Sequence, residues 1–147
     1  MGHLEATATV RWSGQVGSVE GESGALRADT ATQAELGGPG TGTNPEELMA
    51  AAHANCFTST LTSLARARGV PLDRVETRAT TRLAWSQGHD HHLASSRLLL
   101  RIRSWGPETE VRELVREAEE TCPVCQAIRG NVAMTVELEL ERAMPKP

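Results

Sequence analysis

The sequence predicts an α+β fold, on the basis of two kinds of periodicity and the order in which they occur. Apolar residues alternate with polar ones, as in half-buried strands, over residues 6–12, 75–85, 94–102 and 132–140. Apolar residues with helical spacing mark two further segments, one beginning near Pro45 and one near Pro107. Because consecutive strands can pair as hairpins, this order favours an α+β fold over a parallel doubly wound sheet.

Size, charge and cysteine content limit the classes of function. The 147 residues fit one domain, residues 1–147, and the net charge of −4 comes from interspersed acids and bases. The sequence has no basic patch of the kind that predicts nucleic-acid binding. It also has no apolar stretch that predicts a membrane segment and no signal-peptide pattern that predicts secretion. We therefore expect a cytoplasmic protein. Three cysteines are too few for a disulfide scaffold, so a Cys-x-x-Cys pair indicates redox, catalytic or metal chemistry.

The first helix has a clear start and a clear stop. It follows a Gly-rich loop, residues 35–44, which is either a flexible connector or a lid over a site. Asn44 is a good N-cap and Pro45 suits the first turn, while Gly69 is typical of the residue that follows a helix. The sequence therefore predicts a helix from Pro45 to about Arg68.

The centre of this helix consists of small residues, which predicts a central, largely buried helix. Leu48, Ala52, Cys56 and Ser59 share one face, and His53 lies one turn before Cys56. His53 could assist proton transfer to a departing alkoxide. The alternative, which we favour, is a hydrogen-bonded histidine of the core or an interface.

The connection between the two long central strands, Gln87–His92, predicts a hairpin turn. Three of its residues are histidines, which could bind a metal. We favour a solvated turn, because no cysteine or buried acid accompanies them.

A proline interrupts the second helix next to a cysteine. Pro123 cannot continue that helix without loss of a backbone hydrogen bond. We expect a break there, with Cys122 at the start of a short helical turn that ends near Gly130. Cys122 and Cys125 then form a Cys-Pro-Val-Cys run.

Three motifs together resemble the OsmC/Ohr family of osmotically inducible and organic hydroperoxide resistance proteins. They are Gly42-Thr-Asn-Pro-Glu-Glu-Leu48, Ala51-Ala-His-Ala-Asn-Cys-Phe57 and the segment from Cys122 to Val132. The resemblance covers nearly the whole chain, and residues 12–24 resemble the OsmC side. It implies antiparallel sheets around a central buried helix. It also implies an intertwined homodimer with active sites at the interface, and a peroxidase of organic hydroperoxides that needs no metal or other cofactor.

The resemblance also implies roles for individual residues. Cys56 matches the peroxidatic cysteine, which becomes a sulfenic acid, and Cys122 matches the resolving cysteine, which forms a disulfide with it. An external thiol, in the Ohr branch a lipoylated protein, then reduces the disulfide. Glu46 matches the acid that holds an activating arginine.

This sequence departs from the family pattern at two kinds of position. The family arginine would fall at Ser18 or Leu36, so we expect a poorly activated thiol unless Arg27 or Arg11 replaces it. Cys125 stands where the family commonly has serine. It is either a second resolving thiol or a small buried residue, and we favour the second interpretation.

Two other functions remain open at the level of sequence. Cys56, Cys122, Cys125 and His53 would make a zinc site of three cysteines and one histidine. Alternatively, a non-catalytic relative could bind a small hydrophobic ligand in the former peroxide pocket.

Overall fold

The computed structural model describes residues 1–87 and 90–145, and these residues form two compact units. The first unit is Met1–Leu48 and the second is Met49–Pro147. The prediction of a single domain over residues 1–147 stays a prediction. Across the described residues, we find no helix with both the length and the apolar character needed to cross a membrane.

The first unit is built on a three-stranded antiparallel sheet. Its strands are β1 (Ala8–Ser13), β2 (Val16–Gly21) and β3 (Arg27–Ala31), paired in that order. A short 3-10 helix, Ala34–Leu36, follows. The Gly-rich loop then returns to β3, where the Thr43 N–H donates to the carbonyl of Asp29 at 2.8 Å. This hydrogen bond holds the end of the loop against β3, two residues before the first helix begins at Pro45.

Helix α1 runs over Pro45–Arg68, which confirms the predicted bounds. The Asn44 side-chain oxygen accepts a hydrogen bond from the Glu47 N–H at 2.8 Å, as an N-cap does. Gly69 has a φ of 68°, a left-handed conformation that favours glycine and ends the helix.

The burial of α1 is confined to one face, which corrects the prediction of a largely buried helix. The buried residues are spaced four apart: His53, Phe57, Leu61 and Ala65. Of the four residues expected to share one face, Ala52 and Ser59 are exposed in the single chain, and Leu48 and Cys56 are only partly buried. Burial of Phe57 and Leu61 removes more apolar surface from water than burial of alanines, so the larger side chains decide which face is covered.

The second unit combines a mixed sheet with three helical segments. The strands are β4 (Arg74–Ala84), β5 (His92–Ser104) and β6 (Ala133–Arg142), in that spatial order. Helices α2 (Glu108–Thr121) and α3 (Pro123–Ile128) lie between β5 and β6 in the chain. The predicted break at Pro123 is therefore confirmed.

The α+β class is confirmed, but one strand pairing differs from the expectation of antiparallel sheets. β4 and β5 are antiparallel, whereas β6 lies parallel to β5. The chain from Ser104 to Ala133 contains both α2 and α3, and such a helical crossover returns the next strand in the same direction. The predicted hairpin turn between β4 and β5 includes Gly88 and His89, which lie outside the described residues.

One hydrophobic core joins α1, the mixed sheet and α2. Its fully buried aliphatic and aromatic members are Phe57, Leu61, Leu98, Leu100, Ile102, Val111, Leu114 and Ala118. Cys122 and Cys125 are fully buried in the same cluster, and Cys56 packs against it. The core therefore holds all three thiols in the second unit.

Candidate thiol site

The break at Pro123 places Cys122 between two helices. The Cys122 N–H donates to the Ala118 carbonyl at 2.8 Å, and the Cys122 carbonyl accepts from the Gln126 N–H at 3.0 Å. Cys122 thus ends α2 and begins α3, and its ψ of 120° lies outside the helical range. Because Pro123 has no N–H, it occupies the first position of α3 without loss of a hydrogen bond. The Cys122 side chain is fully buried at this junction.

Cys56 lies on α1 at the edge of this junction and is half-buried. The Cys122 side chain and the backbone N–H of Val124 are close enough to its thiol to shift its pKa. Burial raises the pKa of the Cys56 thiol above its ordinary value, and the neighbouring Cys122 raises it further. A hydrogen bond from the Val124 amide lowers that pKa, and so does the nearby Thr60 hydroxyl, which itself donates to the Cys56 backbone carbonyl at 2.9 Å, but the net shift is upward. None of these groups carries a positive charge.

Cys125 lies one turn further along the chain and is fully buried. Its side chain interacts with that of Cys122, so Cys122 has two thiol neighbours, Cys56 and Cys125. Burial, and then the interaction with Cys122, raise the pKa of the Cys125 thiol to about 12. Cys125 is therefore a neutral thiol at pH 7.

His53 connects Cys125 to the mixed sheet. Its Nε2 lies 3.2 Å from the Cys125 sulfur, and its Nδ1 lies 2.7 Å from the Ser96 hydroxyl oxygen. Burial lowers the pKa of His53, so the ring is neutral at pH 7. Since the protonated Cys125 thiol can donate to Nε2, the matching tautomer carries its proton on Nδ1 and donates it to Ser96.

Ser96 was missed by the sequence analysis, although a signal was available. It belongs to the inward-facing series of β5, in which every second residue is buried, and its neighbours in that series are Ala94 and Leu98. A hydroxyl in such a series requires a partner, because an unpaired buried polar group costs about 1–3 kcal/mol. The partner is His53.

The acid and the arginines named from the sequence have other partners, all in the first unit. The Glu46 carboxylate accepts a hydrogen bond from the Gln33 side-chain amide. Arg27 binds Glu20 at 2.6 Å, and Arg11 approaches the same carboxylate at 3.5 Å. Gln33, which the sequence analysis did not single out, thus takes the contact that the family pattern assigns to an arginine.

The structure gives the zinc hypothesis no support. Within residues 1–87 and 90–145, no group of three or more histidine, cysteine, aspartate or glutamate side chains has an arrangement that could hold a metal ion. Cys56, Cys122, Cys125 and His53 instead form a series in which each group interacts with the next. A structural zinc site holds its four ligands in a tetrahedron around one ion, so the hypothesis of a zinc site at these four residues is wrong.

Comparison with known proteins places this site in a family. The model for the family described as "OsmC-like protein" matches residues 38–137. The organic hydroperoxide resistance protein OhrB of Bacillus subtilis is 30% identical over 139 residues, which is 95% of this chain and 100% of OhrB. The organic hydroperoxide resistance protein of Xanthomonas axonopodis pv. citri is 32% identical over 137 residues, 90% of this chain and 91% of that protein.

Solved structures agree with these sequence matches. An organic hydroperoxide resistance protein OsmC from Legionella pneumophila superposes with a TM-score of 0.78 at 31% identity, over 95% of this chain and 99% of that chain. OhrB of Bacillus subtilis gives a TM-score of 0.74 at 30% identity, over 92% and 98% of the two chains. The shared fold and the match over most of the sequence show that this chain belongs to the OsmC-like protein family.

Proposed function

We propose that this protein is a thiol-dependent peroxidase that reduces organic hydroperoxides at Cys56. The observation that carries the proposal is the proximity of a partly exposed cysteine, Cys56, to a fully buried one, Cys122, whose side chain is close enough to shift the pKa of the first thiol. A hydroperoxide can approach the first thiol, and the second is in place to react with the product. Relatives named organic hydroperoxide resistance proteins, at about 30% identity, support the substrate class.

The proposed cycle uses the two thiols in turn. The Cys56 thiolate attacks the distal oxygen of the hydroperoxide, the O–O bond breaks, and the alkoxide takes a proton and leaves as an alcohol. Cys56 is then a sulfenic acid. Cys122 attacks its sulfur, water leaves, and a disulfide joins the two residues. An external dithiol, such as a lipoylated protein, restores both thiols by two exchange steps.

The electrostatics of the site predict a slow first step at neutral pH. The thiolate is the nucleophile, and the groups that stabilise it are neutral: the Val124 amide and the nearby Thr60 hydroxyl. A hydrogen bond from a neutral donor is weaker than one from a guanidinium. Burial outweighs these donors, so most of Cys56 is protonated at pH 7.

We propose that the active form is a homodimer. The single chain exposes large apolar side chains on the β1–β2 hairpin: Val10 is 60%, Trp12 54% and Val16 49% exposed. The small-residue face of α1 is also exposed. Several apolar side chains exposed on one hairpin are typical of a surface that a partner covers.

A second candidate function is a non-catalytic protein that binds a small hydrophobic ligand. The observation in its favour is the neutral Gln33 amide on Glu46, where a peroxidase of this family would hold an arginine. Hydroperoxide consumption in the presence of a dithiol distinguishes the two functions, because a binding protein consumes none.

Cysteine variants test the proposed cycle. We expect Cys56→Ser to abolish the consumption of cumene hydroperoxide with dithiothreitol as reductant. Cys122→Ser should leave a Cys56 sulfenic acid, which dimedone traps and which excess hydroperoxide oxidises to sulfinic acid. The matched control is Ser59→Ala, on the exposed part of the same helix, which should retain wild-type turnover. Turnover that survives in Cys56→Ser would refute the assignment.

The raised pKa of Cys56 predicts a pH-dependent rate. Because the pKa lies above its ordinary value, the thiolate is a minor species at pH 7. The second-order rate of Cys56 oxidation should then rise roughly tenfold per unit between pH 6 and 8. Leu36→Arg restores a cation that the family pattern includes and should raise the rate at pH 7, whereas the neutral control Leu36→Gln should not. A fast rate that is flat from pH 6 to 8 would contradict this account.

The proposed dimer predicts a specific sedimentation behaviour. At micromolar concentration we expect one species with the mass of two chains, because a second chain would bury the exposed apolar side chains of the β1–β2 hairpin and the exposed face of α1. Trp12→Glu should shift the population towards monomer, since it places a charge in the interface. A folded wild-type monomer at that concentration would count against the proposal.

A further inference from the structure

The proposed cycle leaves one buried nucleophile unused. Cys125 is fully buried, contacts Cys122 on one side, and contacts His53 Nε2 at 3.2 Å on the other. A serine or an alanine would fill such a volume without redox chemistry. The Cys122 sulfur is thus flanked by two thiols, each able to form a bond with it.

We propose that the three thiols form a relay, in which a disulfide between Cys56 and Cys122 rearranges to one between Cys122 and Cys125, with His53 as the base. The relay rests on the proposed function, because oxidation by hydroperoxide at Cys56 supplies the first disulfide. It adds a second oxidised state, in which Cys56 is again a free thiol.

Bonds, electrons and protons balance in this rearrangement without a second reactant. Cys125 gives its proton to His53 Nε2, and the resulting thiolate attacks the Cys122 sulfur. The Cys122–Cys125 bond forms as the Cys56–Cys122 bond breaks, and Cys56 leaves with the electron pair. The Cys56 thiolate then takes up a proton and His53 gives one up, so the net change moves one proton from Cys125 to Cys56. No external oxidant or reductant takes part in this step.

The contacts of His53 suit it to this role. A thiol whose pKa is about 12 needs a base to react at neutral pH. His53 is neutral because burial lowers its pKa, and its Nε2 already lies at the Cys125 sulfur. The Ser96 hydroxyl lies 2.7 Å from Nδ1 and can accept its proton, which is compatible with the tautomer whose Nε2 is free to accept.

The relay has a functional consequence. The Cys122–Cys125 bond would lie in the core, where both residues are fully buried, so an external thiol would reach it poorly. Cys56 would meanwhile be free to react with a second hydroperoxide. One chain could then take up two equivalents of hydroperoxide, whereas a chain without Cys125 would stop at one.

Disulfide mapping after one equivalent of cumene hydroperoxide tests the relay. The oxidised protein is alkylated in its native state, then denatured and alkylated with an isotopically heavy reagent. We expect native-state label on Cys56 and a Cys122–Cys125 disulfide in the wild type. In Cys125→Ser, and in Cys125→Ala as a second variant, we expect a Cys56–Cys122 disulfide. A wild-type protein that holds the Cys56–Cys122 bond, with Cys125 labelled only after denaturation, would overturn the relay.

A second oxidant separates failure of the relay from failure of the peroxidase. Diamide oxidises thiols to disulfides without peroxide chemistry. If cumene hydroperoxide leaves all three thiols intact, the proposed function is wrong, and the pair joined by diamide still reports on the relay. A Cys122–Cys125 bond after diamide supports the interchange, and a Cys56–Cys122 bond overturns it.

The role of His53 is tested by measuring two rates in each variant: the rate of the disulfide interchange and the rate of Cys56 oxidation. His53→Gln should slow the interchange by about a hundredfold or more, as expected for loss of a general base, without slowing oxidation of Cys56. Ser96→Ala should slow the interchange by a smaller factor, because it only releases the His53 ring. An equal fall in both rates would mean that His53 has a structural role, and it would overturn its assignment as the base.

Discussion

The backbone break at Pro123 is the constraint on which the site depends. Because proline cannot donate to the preceding turn, α2 ends at Thr121 and a new helix, α3, begins at Pro123, with Cys122 between them. That restart turns Cys122 into the core, beside Cys56, and leaves the Val124 N–H without a helical acceptor. The same restart carries Cys125 back to His53. A continuous helix would use the Val124 N–H in its own ladder and would set the two cysteines on a different face.

The second feature of the site is that none of the described groups that shift the pKa of the Cys56 thiol carries a positive charge. In the first unit, Glu46 binds a neutral amide from Gln33, and Arg27 and Arg11 share Glu20. In the second unit, the donors to Cys56 are a backbone amide and a hydroxyl. The chemistry proposed for this chain therefore relies on proximity of thiols more than on activation of one thiol. A third thiol with its own base fits this pattern.

Sequence patterns predicted the features that depend on local rules. The bounds of α1 follow from Asn44, Pro45 and Gly69, whose preferences act within one turn. The break at Pro123 follows from the missing N–H. The contact of Cys56 with Cys122 was expected only through the family resemblance, because no spacing rule brings together residues 66 positions apart in the sequence.

Features that depend on tertiary packing were not predicted. The sequence indicated a helix of small residues but not which face Phe57 and Leu61 would turn to the core. The parallel pairing of β6 depends on where two helices return the chain, and the pairing of His53 with Ser96 depends on the register of β5 beneath α1. Gln33 and Glu46 lie 13 residues apart and meet only because the Gly-rich loop folds back. Local propensity carries none of this information.

The central claim is that Cys56 passes its oxidation to another thiol of the same chain. The most direct test counts free thiols under denaturing conditions while cumene hydroperoxide is added to the fully reduced protein in small steps without reductant. The account predicts that the first equivalent lowers the count from three to one, with two thiols lost per hydroperoxide reduced. A loss of one thiol per equivalent, with no disulfide formed, or no loss at all would contradict it.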